Sequence, residues 1–174
     1  KWFIRWVMSE LNRIIKQFNG NVLGIGLDEK ILKQLNKNNK ITECNLLNSV
    51  TKGRGYGFSK TIKIKKIRKY FKKKSVNFIL CNYEVMSKYL NSFVKNSIYL
   101  NDFKIYYYGD CDVDRLIRRY SRYDTKINVN KEKDFYILEI DCSNAKNNFF
   151  KEKLYSVVDL IDSAIEVIGD ILMN

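Results

Sequence analysis

Apolar residues recur every three or four positions at the start of the chain, which is the spacing of an amphipathic helix. The pattern runs from Trp2 to Phe18, and Asn19-Gly20 then supplies an ending signal. A second long pattern covers Phe149 to Met173, with a broad apolar face and one acidic stripe. We therefore expect an N-terminal helix over residues 1–19 and a C-terminal helix over 149–173. The apolar face of the second helix requires burial, either on a sheet or against a second subunit.

Residues 21–143 alternate between short apolar runs and helix-like segments. The runs with strand character are VLGIGL, KITECNLL, TIKI, SVNFILCN and FKIYYYG. TKINVNKEKDFYILEIDCS alternates and has a polar break at Lys131–Lys133, which predicts a β-hairpin. This order predicts one α/β domain with a mostly parallel sheet and an antiparallel closing hairpin.

The segments between the strands predict helices. They are DEKILKQLNKN, KKIRKYFKKK, YEVMSKYLNSFVKNSIYL and DVDRLIRRYSRY. Asp28 and Asp112 stand where the side chains of N-caps belong. The three consecutive tyrosines, Tyr106 to Tyr108, alternate along a strand, so at least one is expected in the core.

The composition is that of a single globular domain that does not need disulfides or a structural metal for stability. The 174 residues are 45% hydrophobic and 29% charged. Histidine is absent, which excludes Ser-His or Cys-His catalysis and histidine metal sites. The four cysteines have no CxxC spacing, and we expect them to be buried, reduced and not metal-binding. A cytoplasmic protein is expected, because no apolar run reaches about 18 residues and no signal peptide is evident.

Positive charge is concentrated in one segment of the chain. The net charge is +13, and KTIKIKKIRKYFKKK, from Lys60 to Lys74, contains no acid. Just before it, KGRGYGF interleaves basic and aromatic residues with glycines, which suits phosphate contact and base stacking. The alternative is an ordinary solvated face on a basic protein. The candidate nucleic-acid-binding residues here are Arg54, Tyr56, Lys65, Lys66, Arg68, Lys69, Lys72 and Lys73.

A second basic group lies on the predicted helix that follows YYYG. Arg115, Arg118, Arg119 and Arg122 are spaced i, i+3, i+4 and i+7, which places them on one helix face. Together the two basic groups could follow a phosphate backbone, so nucleic acid, and RNA in particular, is the expected partner.

NVLGIGL joins an apolar run to two glycines and then to the acidic start of a helix. Gly24 and Gly26 would let the backbone approach a ligand closely. The free N–H groups at the start of the following helix would bind its carboxylate or phosphate.

This order of elements, with its first glycine turn, resembles the class I S-adenosylmethionine-dependent methyltransferase family over about residues 21–143. The resemblance implies a Rossmann-like fold and S-adenosylmethionine as cofactor. It implies that Gly24, Gly26 and Asn45 contact this cofactor. Asn82 lies at the end of the fourth strand run, where the family keeps catalytic groups, and resembles the Asn of an Asn-Pro-Pro-Tyr motif. The alternative is a purely structural role for Asn82, as a polar cap after a buried strand.

The sequence departs from the family pattern at its cofactor turn. The family's acidic residue within the first motif is replaced by Gly24, and Leu27 and Asp28 stand where further glycines are usual. Asp28 and Glu29 would face the cofactor's own carboxylate, which is unfavourable. Asn45 would replace the acid that holds the ribose. The glycine motif is therefore degenerate.

Two functions remain open from the sequence. One is a methyltransferase that transfers a methyl group from S-adenosylmethionine to RNA or a ribosome-associated target. The other is a non-catalytic module that binds RNA or another polyanion on a degenerate methyltransferase-like scaffold. A third hypothesis makes the acidic and apolar C-terminal helix a dimerisation or partner-docking element, with the rest of the fold as its scaffold.

Overall fold

The computed structural model describes residues 2–47 and 64–173. Six strands form one sheet in the order β2-β1-β3-β4-β6-β5. The strands are β1 (Gly20–Ile25), β2 (Ile41–Leu47), β3 (Val76–Asn82), β4 (Asn101–Gly109), β5 (Lys126–Glu132) and β6 (Phe135–Asp141). The first four are parallel neighbours, and β6 joins β4 in antiparallel pairing. The mostly parallel Rossmann-like sheet with its antiparallel hairpin is confirmed.

Helices cover both faces of the sheet. They are α1 (Trp2–Lys16), α2 (Glu29–Lys37), α3 (Tyr83–Met86), α4 (Leu90–Leu100), α5 (Val113–Tyr120) and α6 (Phe149–Met173). Short 3-10 helices occur at Ile64–Lys69, Ser87–Tyr89 and Ser121–Tyr123. The helices predicted at both termini are present, and Asp28 and Asp112 cap α2 and α5 as expected.

Alternate residues of the strands supply two separate apolar cores. On one face, Val22, Phe78 and Tyr106 pack against α1 and α2. On the other, Leu23 and Tyr107 pack against α4, α5 and the first 3-10 helix. All three tyrosines of YYYG are buried, with Tyr107 on the opposite face from its neighbours.

Two helix predictions need correction. KKIRKYFKKK forms only the 3-10 helix Ile64–Lys69, and the chain then reaches Lys74 with a φ of 55°. Among the side chains of this segment that the structure describes, Ile67 is the fully buried one, so a longer helix would gain little packing. The helix predicted from Tyr83 is interrupted by a 3-10 turn at Ser87–Tyr89. Of the predicted strand TIKI, Ile64 starts the 3-10 helix and the rest lies outside the described residues.

The C-terminal helix does not bury its apolar face on the sheet. Its acidic residue Asp159 is 8% exposed, whereas Phe150 and Leu172 on the apolar face are 81% and 80% exposed. The sheet is therefore excluded as the cover for this face. In the described part of the chain, no helix is long and apolar enough to cross a membrane.

Candidate functional site

The carboxyl ends of β1, β3 and β4 meet at one edge of the sheet. From β1 the chain crosses to β2 on one side, whereas β3 lies on the other side, so the strand order reverses between β1 and β3. Ligands of open α/β sheets bind at such a switch point. The two glycines and Asn82 were predicted to form a site, and Gly26 and Asn82 do meet here.

Asn82 connects the ends of β1 and β3. Its side-chain Nδ2 donates a hydrogen bond to the Gly26 carbonyl oxygen at 3.3 Å. Its Oδ1 accepts from the backbone N–H of Glu84 at 3.1 Å and thereby caps α3. Both polar atoms of this side chain therefore have partners within the protein, as expected if Asn82 has a structural role as a polar cap.

Tyr108 lies beside Asn82 on the neighbouring strand, at the register position opposite it. Its hydroxyl oxygen is buried and makes no hydrogen bond of good geometry with the described residues. Burial raises its pKa, and the carboxylate of Asp28 raises it further. Tyr108 is therefore a neutral phenol beside the glycine turn, and it is a residue that the sequence did not single out.

The glycine turn is packed against side chains of the protein itself. Gly26 has a φ of +65°, and a Cβ built on it would lie 2.8 Å from the Cβ and Cγ2 of Val85. A Cβ on Gly24 would lie 2.5 Å from Leu27 Cδ1 and 2.9 Å from Leu46 Cδ2. The glycines therefore admit Val85, Leu27 and Leu46 to close contact with the backbone. The role of Val85 depends on a contact between helix α3 and the turn after β1, which are far apart in the sequence, so no sequence signal could have shown it.

The N-terminus of α2 is capped by an acidic side chain. Asp28 Oδ1 accepts a hydrogen bond from the backbone N–H of Ile31 at 3.0 Å, and both Asp28 and Glu29 are exposed. A carboxylate already lies at the position where the helix would otherwise bind the anionic group of a ligand.

Asn45 lies within β2 rather than at its end. It is paired in register with Leu23, two residues before the last residue of the strand, Leu47. The side chain is buried, and its Nδ2 donates to Glu43 Oε1 at 3.1 Å. The structure therefore places Asn45 away from Gly26 and Asn82. The residues after Leu47, where a ribose-binding side chain would lie, are outside the described ranges.

Arg68 is committed to contacts within the fold. It donates to Asn96 Oδ1 at 2.7 Å and to Glu152 Oε1 at 3.2 Å, and its guanidinium lies 4.5 Å from the centre of the Tyr99 ring. An open cleft of about 500 Å³ beside it is also lined by Ser92 and Lys95.

The other predicted residues of the basic segment divide into three groups. Lys69, Lys72 and Lys73 are exposed. Lys65 and Lys66 belong to the 3-10 helix, and their side chains are not described. Arg54 and Tyr56 lie outside the described residues. The exposed cations of this segment that the structure describes are therefore the three lysines.

The arginines of α5 do not form one open basic face. Arg119 is 6% exposed and pairs with Asp159, which also accepts from Arg122 Nη1 at 2.7 Å. Burial lowers the pKa of Arg119, and Asp159 partly opposes this effect. Arg115 donates to the Ser87 carbonyl oxygen at 3.4 Å, whereas Arg118 is exposed. The structure turns Arg119 inward, and of the three predicted binding arginines on α5 only Arg118 is fully at the surface.

Solved structures that are similar to this chain include several methyltransferases. TrmK from M. capricolum, solved with S-adenosyl-homocysteine, is 15% identical with a TM-score of 0.50, over 95% of this chain and 86% of that one. The release-factor-specific protein-(glutamine-N5) methyltransferase from Alicyclobacillus acidocaldarius is 9% identical with a TM-score of 0.46, over 77% and 88%. Magnesium protoporphyrin IX methyltransferase from Synechocystis is 8% identical with a TM-score of 0.43, over 80% and 78%.

No family model matches the sequence, and no curated protein matches it either. The chain has a class I S-adenosylmethionine-dependent methyltransferase-like fold. This fold binds S-adenosyl-homocysteine in TrmK.

The side chains at the glycine turn of this chain do not fit that cofactor. Val85 packs on Gly26, so the protein itself covers this side of the backbone of the turn. Asp28 places a carboxylate at the start of α2, where the cofactor's own carboxylate would be repelled. Among the described residues, Val85 and Asp28 therefore disfavour this cofactor at the glycine turn.

Proposed function

We propose that this chain is a non-catalytic RNA-binding module built on a methyltransferase-like scaffold. The observation that carries the proposal is the contact of Val85 with Gly26, at the point where a cofactor would need access to the backbone. The Asp28 cap on α2 also disfavours cofactor binding, because it places a negative charge close to where the carboxylate of the cofactor would lie.

We assign RNA binding to the basic segment that comprises the 3-10 helix Ile64–Lys69 and the residues up to Lys74. Lys69, Lys72 and Lys73 are exposed, and Arg68 fastens the segment to α4 through Asn96. The backbone of the segment is further held by Lys74, whose Nζ donates to the carbonyl oxygens of Ile98 and Asn101 at 3.0 and 2.9 Å. A row of lysines on a fixed support can contact successive phosphates, and each contact adds to affinity in a salt-dependent way.

A second candidate function is an S-adenosylmethionine-dependent methyltransferase that acts on RNA. The observation in its favour is the hydrogen bond from Asn82 Nδ2 to the Gly26 carbonyl oxygen, which brings two predicted site residues together at the switch point. For this function Val85 would have to leave Gly26 when the cofactor binds.

Calorimetry with S-adenosylmethionine and S-adenosyl-homocysteine separates the two functions. The non-catalytic proposal expects no binding to the wild-type protein at millimolar ligand. Micromolar binding, weakened by Val85→Phe and kept by Val85→Ala, would overturn it and select the methyltransferase. Thermal unfolding of each variant without ligand shows whether it is folded.

RNA binding is measured separately by fluorescence anisotropy with a labelled single-stranded RNA over a range of salt. We expect affinity to fall steeply with salt, and the triple change of Lys69, Lys72 and Lys73 to Glu to reduce both the affinity and the slope. The matched control changes Lys30, Lys33 and Lys37 to Glu, on α2 and on the other face of the sheet. Equal losses in both triple variants would show a general charge effect and would refute the assigned surface.

A further inference from the structure

The C-terminal helix α6 turns Asp159, from its acidic stripe, toward the domain, whereas its large apolar side chains face away from the domain. Asp159 pairs with Arg119 and Arg122, and the ring of Tyr155 lies 5.9 Å from that of Tyr123. Every residue from 164 to 173 is exposed. This arrangement is the reverse of an ordinary surface helix, whose apolar face packs on the core.

The apolar face of α6 has the spacing of a coiled-coil seam. Its positions are separated alternately by four and three residues: Phe150, Leu154, Val157, Ile161, Ile168 and Ile171, with Ala164 between Ile161 and Ile168. Each of the six large side chains is more than half exposed. Four further apolar residues flank the seam: Val158, Leu160, Ile165 and Val167. The apolar surface of α6 is therefore wider than the seam positions alone.

We propose that α6 binds the α6 helix of a second copy of this chain in an antiparallel arrangement. A heptad face is shaped to receive another helix with the same repeat, and a two-fold axis lets the same surface serve both chains. The seam carries no charge along its central positions from Leu154 to Ile171, so two copies meet there without repulsion.

Charge favours the antiparallel orientation over the parallel one. The chain has a net charge of +13, whereas the distal half of α6 carries Asp162, Glu166 and Asp170. Antiparallel pairing places this acidic half beside the basic body of the partner. Parallel pairing would bring the two positive bodies together instead.

A lipid surface is a poorer occupant of the same face. Helices that lie in a membrane interface usually carry basic residues on the polar face, which attract anionic lipids. The polar stripe of α6 is acidic over its last three turns and would be repelled by such a surface.

Light scattering coupled to size-exclusion chromatography tests the dimer. We expect the wild-type chain, whose mass is 20.7 kDa, to have twice this mass. The double change Ile161→Glu and Ile168→Glu should give the single-chain mass, and far-UV circular dichroism should stay unchanged because both side chains are exposed in one chain. The control Glu166→Gln, on the acidic stripe, should remain dimeric. A wild-type monomer at hundreds of micromolar, or a double variant that stays dimeric, would overturn the proposal.

Crosslinking tests the orientation, and vesicles test the lipid alternative. Chains with Leu154→Cys mixed with chains with Ile171→Cys, both at seam positions, should form mixed disulfides on mild oxidation. Crosslinking of like with like would refute the antiparallel arrangement. Co-sedimentation with vesicles of phosphatidylcholine and phosphatidylglycerol that depends on Ile161 would show that the face binds lipid and would overturn the dimer.

Discussion

Arg122 Nη1 donates to Asp159 Oδ1 at 2.7 Å and joins the 3-10 turn after α5 to the C-terminal helix. The same carboxylate neutralises the buried Arg119. The Arg122 guanidinium also lies 4.8 Å from the centre of the Tyr155 ring. These contacts fix which face of α6 meets the domain, and they withdraw two of the four arginines from any phosphate surface.

The change Asp159→Asn tests how much this pairing stabilises the domain. It leaves Arg119 buried without a negative partner, and we expect a loss of about 3 kcal/mol in the free energy of unfolding. Urea denaturation measures the loss. Glu166→Gln, an equal change of charge at an exposed position of the same helix, should alter stability by less than about 0.5 kcal/mol. Equal effects of the two changes would show that the Arg119 contact is not stabilising.

The change Gly26→Ala tests the packing of the glycine turn. The φ of +65° costs an L-residue about 1 kcal/mol, and the new Cβ would lie 2.8 Å from Val85. We expect a total loss of about 2–4 kcal/mol in the free energy of unfolding, since overpacking adds to the strain.

Gly169→Ala is the matched control, because a Cβ at Gly169 meets nothing within 4 Å and the residue lies inside α6. This change should stabilise the helix by up to about 1 kcal/mol. If Gly26→Ala were as well tolerated, the close contact with Val85 would be refuted. Adding Val85→Ala to Gly26→Ala should recover only a small part of the loss, because it removes the two Cγ contacts but leaves both the Cβ of residue 85 at 2.8 Å and the backbone strain.

The elements with long periodic patterns could be predicted from the sequence, because their apolar residues lie on one face and their polar residues on the other. The helix over Phe149–Met173 is one example, and the hairpin with its turn at Lys133 is another. One of the predictions that failed, a long basic helix from Lys65, relied on composition more than on periodic burial. There Ile67 is the fully buried residue, and Lys74 ends the segment by donating to carbonyl groups of a distant helix and strand.

The position of the candidate site could be predicted from the sequence, but the side chains that pack against it could not. Asn82 and Gly26 both follow strands that end at the same edge, so their meeting was predictable. The position of Val85 over Gly26 depends on how α3 leaves β3, which no spacing reveals. Likewise, the spacing of the α5 arginines shows a shared face but not that Asp159, 40 residues beyond Arg119, lies against it.

Alkaline pH should destabilise the domain through its buried tyrosines and cysteines. Burial raises the pKa of Cys44 to about 11 and of Cys111, Cys142 and Tyr123 to about 12, and it raises the pKa of Tyr107 further. These groups are neutral in the folded state while they ionise in the unfolded chain, beginning at about pH 8.5 for cysteine and pH 10 for tyrosine. Their contribution to stability is therefore complete below about pH 8.5 and is lost as pH rises through the folded pKa values.

Urea midpoints measured from neutral pH upward check this expectation. The midpoint should start to fall near about pH 9 and fall more steeply above about pH 10. Tyrosinate absorbance should lag behind that of the urea-unfolded chain at the same pH. A flat midpoint through about pH 11 would contradict the burial of these groups.

Asn101→Asp tests a buried amide that holds three backbone carbonyl groups. Nδ2 donates to the carbonyl oxygens of Val76, Asn77 and Lys104 at 3.2, 3.1 and 3.1 Å, while Oδ1 accepts from the Phe103 N–H at 3.1 Å. Aspartate has the same shape but faces those carbonyls with a buried negative charge, and we expect a loss of at least about 3 kcal/mol at neutral pH.

The loss should depend on pH with a definite sign. Burial and the facing carbonyl oxygens would raise the pKa of the new carboxyl in the folded state above its unfolded value of about 4. Protonation would then relieve the repulsion, so the variant should approach the wild-type stability as pH falls toward about 4 and lose stability as pH rises. Asp102→Asn, a change of charge at the neighbouring exposed position, is the control and should show no such recovery. An Asn101→Asp variant that is equally destabilised at about pH 4 and about pH 7 would show that the carboxyl does not face those carbonyl groups.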